Sequence, residues 1–337
     1  MRKDMNIQEV ARLAGVSVAT VSRVLNDSPK VKEVTRMKVL DVIQKFDYQP
    51  NLLGRDLRRS ETKKVLVITS ALEKPILADV VKGIEICAKE HGYYVLVCPT
   101  SYNWNKEQEL IQMLKNRLAD GAITFSTALS EVELSEISKK YNIVQCCEYK
   151  KAPYTCSVSI DDEKAAFDAV NHLIELGHQH IALIGDNDTL SESSTLRREE
   201  GYKRALKSSG IPFRPDLMKY GSGEYMDGMR LTDELLLIKD PPTAIFCLND
   251  ILGVGCINAI KQHGYSIPDE IAVIGFDNTR EALMSVPPLT TIHQPKYEIG
   301  YSAMELLIHN MTNSHKKYDN LMHQHEVIAR GSTIGMK

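Results

Sequence analysis

The feature that most constrains this chain is an alternation of short apolar runs with helical segments, which occurs twice in succession. Val65-Leu66-Val67-Ile68, Tyr94-Val95-Leu96-Val97 and Ala122-Ile123-Thr124-Phe125 have strand length and read as strands buried on both faces. Residues 143–147 and 158–160 continue the series, with helices expected over 79–91 and 106–118. A second set starts at Ile181-Ala182-Leu183-Ile184 and runs through Ala244-Ile245-Phe246-Cys247 and Ile271-Ala272-Val273-Ile274. Alternation of this kind requires right-handed crossovers and parallel sheets. Two sets in a row predict two similar α/β lobes with a cleft between them.

Ahead of these units the texture is purely helical. Ile7, Val10, Ala11 and Ala14 recur at helical spacing, and Asn6 with Glu9 three residues on forms a capping box. Gly15 ends this first helix, because the residue after a helix often needs a positive φ. Ser17 caps a second helix, with Val21, Val24 and Leu25 facing inward and Val18, Ala19, Thr20, Ser22 and Arg23 facing outward. A short helix with that small, hydrogen-bonding outer face fits the major groove, where base edges are read. An ordinary helical hairpin is the alternative. A third helix over about 33–46, carrying Val34, Met37, Val39, Leu40 and Ile43, is expected to cover the pair. Tyr48-Gln49-Pro50-Asn51 breaks it, and a short basic linker follows.

Charge supports this division. The first sixty residues hold 12 Lys and Arg against 7 Asp and Glu, whereas the remainder holds 29 against 37. A basic head on an acidic body fits one segment that faces nucleic acid. No apolar run resembles a signal peptide or reaches the eighteen residues of a membrane span, so a cytoplasmic protein is expected, with no membrane partner. The seven cysteines are odd in number, lack a Cys-x-x-Cys pair and sit mostly in apolar runs, as reduced small hydrophobes do. His178-x-His180 and His323-x-His325 lack a second pair of ligands, so no metal is expected and no cofactor. Nucleophile-elbow, zinc-protease and phosphate-loop motifs are absent, and no enzyme activity is expected.

Specific runs carry a resemblance: Val10-Ala11 with Ala14-Gly15-Val16-Ser17, Thr20-Val21-Ser22-Arg23-Val24, Tyr48-x-Pro50-Asn51, Gly177-His178, Asn249-Asp250, Gly275-Phe276-Asp277 and Pro288-Leu289-Thr290-Thr291. Taken end to end, the chain resembles the lac repressor/galactose repressor family of bacterial transcription regulators. Residues 165–171, 241–247 and 287–300, with Gly54-Arg55, are most like its cytidine-repressor branch. The resemblance implies an N-terminal all-α helix-turn-helix headpiece and an α/β two-lobed, periplasmic-binding-protein-like core with parallel sheets. It places the headpiece at 1–50, a hinge helix at 51–62 and the core at 63–337. Lobe 1 is then about 63–161 and 293–325, and lobe 2 about 162–292 and 326–337.

Family members bind double-stranded operator DNA as homodimers and answer to a small-molecule effector. The resemblance therefore implies DNA contacts from Asn6, Ser17, Val18, Ala19, Thr20, Ser22, Arg23, Asn26, Asn51 and Arg55, with Leu57 wedged into the minor groove. It implies effector contacts from Arg198, Asn249 and Asp277. Asp250 as a helix cap, and Arg198 paired with Glu199 or Glu200, are the structural alternatives. Many relatives carry an aromatic where Gly223 stands, so Tyr225 is the ring expected to stack on the ligand. That ligand is a nucleoside such as cytidine, or a sugar. A small-molecule-binding protein with no DNA role is the rival reading, and the basic headpiece argues against it.

Overall fold

The computed structural model describes residues 5–25, 27–48, 61–187, 192–313 and 315–335. They form two compact units, 1–62 and 63–337. In the first unit, α1 (Ile7–Ala14) carries the expected capping box: Asn6 Oδ1 accepts from the amides of Gln8 and Glu9, and Glu9 accepts from the Asn6 amide. Gly15 follows in the left-handed region, at φ +65°. Ser17 Oγ accepts from the Thr20 amide at 3.1 Å and so caps α2 (Val18–Leu25). Val10, Ala11, Ala14, Val21 and Val24 pack with Val39 and Tyr48 into one small core.

The third helix, α3 (Glu33–Lys45), covers that core with a different face from the one expected. Val39 is buried with Val42 and Ile43 beside it, whereas Val34, Met37 and Leu40 are exposed. At 100° per residue, positions 34, 37 and 40 fall on a neighbouring stripe, so the apolar residues do not form one face. Arg36 pins the helix to the preceding loop, bonding the Asp27 carboxylate and the Ser28 carbonyl.

The second unit contains two six-stranded sheets. In the first lie β1 (Lys64–Thr69), β2 (Tyr94–Pro99), β3 (Gly121–Thr124), β4 (Ile143–Cys146), β5 (Ser157–Ile160) and, from far along the chain, β11 (Asn320–His323). The second holds β6 (Ile181–Asp186), β7 (Met218–Gly221), β8 (Ala244–Cys247), β9 (Ala272–Asp277), β10 (Thr290–His293) and β12 (Glu326–Ile328). Their spatial orders, β11-β5-β4-β3-β1-β2 and β12-β10-β9-β8-β6-β7, are equivalent, and every pair is parallel except β10 with β12. Strand β2 departs from expectation: it is an edge strand, with Tyr94, Leu96 and Val97 exposed rather than buried on both faces.

Helices cover both sheets. In the first lobe they are α4 (Pro75–Glu90), which begins at Pro75 rather than at residue 79, and α5 (Trp104–Lys115) and α6 (Glu131–Lys140). In the second lobe they are α7 (Asp162–Glu175), α8 (Glu192–Ser208), α9 (Tyr225–Leu236), α10 (Asp250–Gln262) and α11 (Arg280–Met284). Helix α12 (Lys296–Thr312) returns to pack on α4, and α13 (Gly331–Ile334) ends the described chain. No helix among the described residues is long and apolar enough to cross a membrane. All seven cysteines are free thiols.

Candidate nucleic-acid interface and ligand cleft

Of the residues expected to face DNA, Ala19 and Arg23 are exposed on α2. Thr20 and Ser22 are half-buried, and the Thr20 hydroxyl lies 2.9 Å from Ser17 Oγ. Val18 does not stand free on the outer face: it is half-buried and packs against the headpiece core. As the first residue of α2 it lies where the helix meets its own hairpin, so part of its surface is covered. The Asn6 side-chain oxygen is committed to its cap. Asn26, Asn51, Arg55 and Leu57 lie outside the described residues.

In the second unit a cavity of about 220 Å³ opens between the lobes. Its walls are built from the C-terminal ends of parallel strands: Thr69 at the end of β1 and Ser70 after it, Phe125 after β3, Cys147 and Glu148 after β4. From the other lobe come Asp186 at the end of β6, Gly223 after β7, Asn249 after β8 and Asp277 at the end of β9. In both sheets the chain reverses direction of growth between the first and third strands, and open parallel sheets bind ligands in the crevice there.

Arg198 is the best-braced group in the cleft. Its Nε donates to Asp162 at 2.9 Å, one terminal nitrogen donates to the Leu248 carbonyl at 2.6 Å, and the other lies 3.9 Å from Asp277. The guanidinium stacks on Phe276, 3.7 Å from the ring centre. Burial works against the charge, but Asp162, Asp277 and Glu148 outweigh it and hold the guanidinium's pKa above its usual value. Glu199 and Glu200 do not compete for Arg198, since both face Lys203.

Asp277 is buried with φ +104°; it accepts from Gln294 at 2.7 Å, and Lys296 donates to its carbonyl at 2.8 Å. Burial raises its pKa against the pull of Arg198 and Lys296. Asn249, not Asp250, caps α10: its oxygen accepts from the Leu252 amide at 2.8 Å, and its amide donates to the Gly223 carbonyl. Asp250 is the next residue, wholly buried, and accepts from the Thr279 amide and the Thr291 hydroxyl, each at 2.6 Å. Burial, with Asp277 nearby, pushes its pKa up to about 7.

The structure brings Arg198, Asn249 and Asp277 to one cleft, and leaves Tyr225 out. The Tyr225 hydroxyl accepts from Asn258 at 2.8 Å, which ties the ring to α10 instead. Gly223 stands at φ +86° with the Asp186 side chain against it, a position no aromatic residue takes without strain. Sequence reasoning missed Asp186, Glu148 and Phe125. Each ends or follows a strand, the same placement that selected Asn249 and Asp277, so the signal was available. It also missed the clasp across the cleft, where Glu148 accepts from both the amide and the hydroxyl of Ser194. Beside that clasp Arg197 stacks on Tyr149, 3.6 Å from the ring centre.

Comparison with known proteins agrees with both halves of this description. Residues 6–51 match the model for bacterial regulatory proteins of the lacI family, and residues 170–333 match that of a periplasmic binding protein-like domain. The chain is 36% identical over 332 residues to the catabolite control protein A of Priestia megaterium, covering 98% of this chain and 99% of that one. It is 34% identical over 328 residues to the HTH-type transcriptional repressor CytR of Escherichia coli (strain K12), covering 97% and 96%. Among solved structures, the lac repressor dimer bound to operator and the anti-inducer ONPF superposes with a TM-score of 0.87 at 26% identity, covering 98% of this chain and 99% of that one. The chain therefore belongs to the lacI family of bacterial regulatory proteins, as a DNA-binding transcriptional repressor whose operator affinity is modulated by a small-molecule effector.

Proposed function

We propose that this repressor acts in the cytoplasm as a homodimer and that its effector is an uncharged nucleoside or sugar held between the two lobes. The observation that carries the reading is the charge of the cleft. Glu73, Glu148, Asp186, Glu224 and Asp277 line it, against the cations Lys74 and Arg198. Carboxylates in a partly dry cleft accept hydrogen bonds from hydroxyls and repel phosphates. Arg198 is offset by its own acidic neighbours and is thus a hydrogen-bond donor rather than an anion trap. Arg198, Asn249, Asp186 and Asp277 hold ribose or hexose hydroxyls, and Phe125 offers an apolar face for a base or ring.

The likeness to CytR favours a nucleoside, cytidine above all. On the DNA side Arg23 reads a base, Ala19 and Val18 contact methyl groups, and Asn6, Ser17, Thr20, Ser22 and Asn26 meet the backbone. Asn51, Arg55 and Leu57 then act in the hinge at 51–62. The exposed apolar edge of β2, with Leu283, Met284 and Val286 on the second lobe, supports association of two copies.

The test is calorimetry on the full chain with cytidine, other nucleosides, ribose and hexoses, each beside its phosphorylated form. Gel shifts on DNA upstream of neighbouring genes follow for every ligand that binds. An uncharged ligand that binds and changes the gel shift supports the reading. Tight binding of a nucleotide or sugar phosphate would sink it.

A further inference from the structure

Cys146 and Cys147 are consecutive, and in a regular strand consecutive side chains point to opposite faces. Here they do not. Cys147 has φ +65°, and the Glu148 amide donates back to the Cys146 carbonyl at 2.8 Å. This is the tight three-residue turn that only strained backbone forms. It brings the two sulfurs to 4.0 Å from one another. Cys146 is buried in the core of the first lobe, whereas Cys147 is half-buried and lines the cleft. The Cys147 amide is anchored to the Val158 carbonyl at 2.9 Å, so the turn is held in place by the neighbouring strand.

We propose that Cys146 and Cys147 form a two-thiol site for a trivalent arsenical, entered from the cleft. A direct disulfide would require the sulfurs at about 2.0 Å and an added oxidant. A bridging arsenic atom needs neither. An arsenical carrying two hydroxyls condenses with the two thiols: two arsenic–sulfur bonds form and two arsenic–oxygen bonds break. The hydroxyls leave as two waters with the thiol protons, and no electrons are transferred. The Cys147 sulfur attacks the arsenic first because Cys147 lines the cleft, and Cys146 then closes the chelate. Because the turn already holds both sulfurs on one side, little conformational freedom is lost in closing it.

A second close pair, Cys247 and Cys256 at 3.4 Å, is an internal control, because both lie wholly buried in the second lobe away from the cleft. The experiment treats the full chain with one equivalent of phenylarsine oxide, washes with glutathione and reads the intact mass. The expected result is retention of one phenylarsine oxide less one water, released by 2,3-dimercaptopropanol. C147S and C146S each lose retention, whereas C256S keeps it. Retention unchanged in C147S, or lost in C256S, overturns the proposal. Should either variant at 146 or 147 fail to fold, the wild-type adduct is digested with trypsin. The arsenical is expected on the peptide 141–150, which carries both thiols, and its recovery on any other peptide overturns the assignment.

Discussion

At the scale of single residues, two positions carry clear predictions. Arg23 is the only long donor on the outer face of α2 and is exposed there. Replacing it with alanine should cost about 1–3 kcal/mol per half-site on the operator. The loss should be much smaller on random DNA, measured by competition gel shift; equal losses on both would assign Arg23 to phosphate alone. Asp250 carries the second. Its folded pKa of about 7 lies well above that of an unfolded aspartate, so the folded chain binds more protons across the interval between them. Its contribution to stability is therefore complete below about pH 4 and is lost as pH rises through about 7. Asp250→Asn does not titrate. Its stability relative to wild type should rise between pH 5 and pH 8, by about 1.4 kcal/mol for each tenfold difference in proton affinity. Urea unfolding at the two pH values measures this, and a constant difference would refute it. The residues the sequence left hidden here share a cause. Arg198 could be assigned to the cleft, but its partners Asp162, Leu248 and Phe276 lie on three separate segments, and their meeting depends on the tertiary fold.

At the scale of elements, the strands and most helices were legible because their periodicity reports burial directly. Where the reading failed, burial depended on something outside the element. The run Tyr94-Val95-Leu96-Val97 is as apolar as its neighbours, but its place at the edge of the sheet follows from pairing order, which composition does not encode. Helix α3 has apolar residues on two stripes, and only docking on α1 and α2 selects one of them. By contrast the first helix is specified locally at both ends, by Asn6 with Glu9 and by Gly15. Asn6→Ala removes the acceptor for two amides and should lower the stability of the headpiece by about 1 kcal/mol. Thermal melts of the full chain, followed by a headpiece signal, would show the shift, and unchanged melting would mean the cap contributes nothing in context.

At the scale of the whole molecule, the two halves of the function sit in separate units, and their coupling must be reciprocal. If the effector weakens operator binding, operator must weaken effector binding by the same factor, about 5–150-fold for typical couplings. Asp277→Ala should reduce effector affinity and leave operator binding in the absence of ligand intact, because its contacts are with Gln294, Arg198 and Lys296. Calorimetry and gel shift on the same preparation test both arms. An Asp277 variant that no longer binds operator would show that this aspartate holds the repressing conformation itself.

The placement of β11 has a consequence for how the protein is made. The first sheet begins at residue 64, but its strand β5, paired with β4 on one side, finds its outer neighbour only in residues 320–323. On the ribosome, the first lobe therefore waits with one border open while the whole second lobe is synthesised. Such a border is a template for pairing with other nascent chains. A chain stopped after Thr312 should reach the soluble fraction in much lower yield than full-length protein, even though the headpiece and ten of the twelve described strands, β1 to β10, precede the cut. Supplying the missing segment, residues 313–337, as a separate peptide during refolding should recover part of that yield, since what the truncated chain lacks is an outer neighbour for two borders, β5 and β10, that it has already formed.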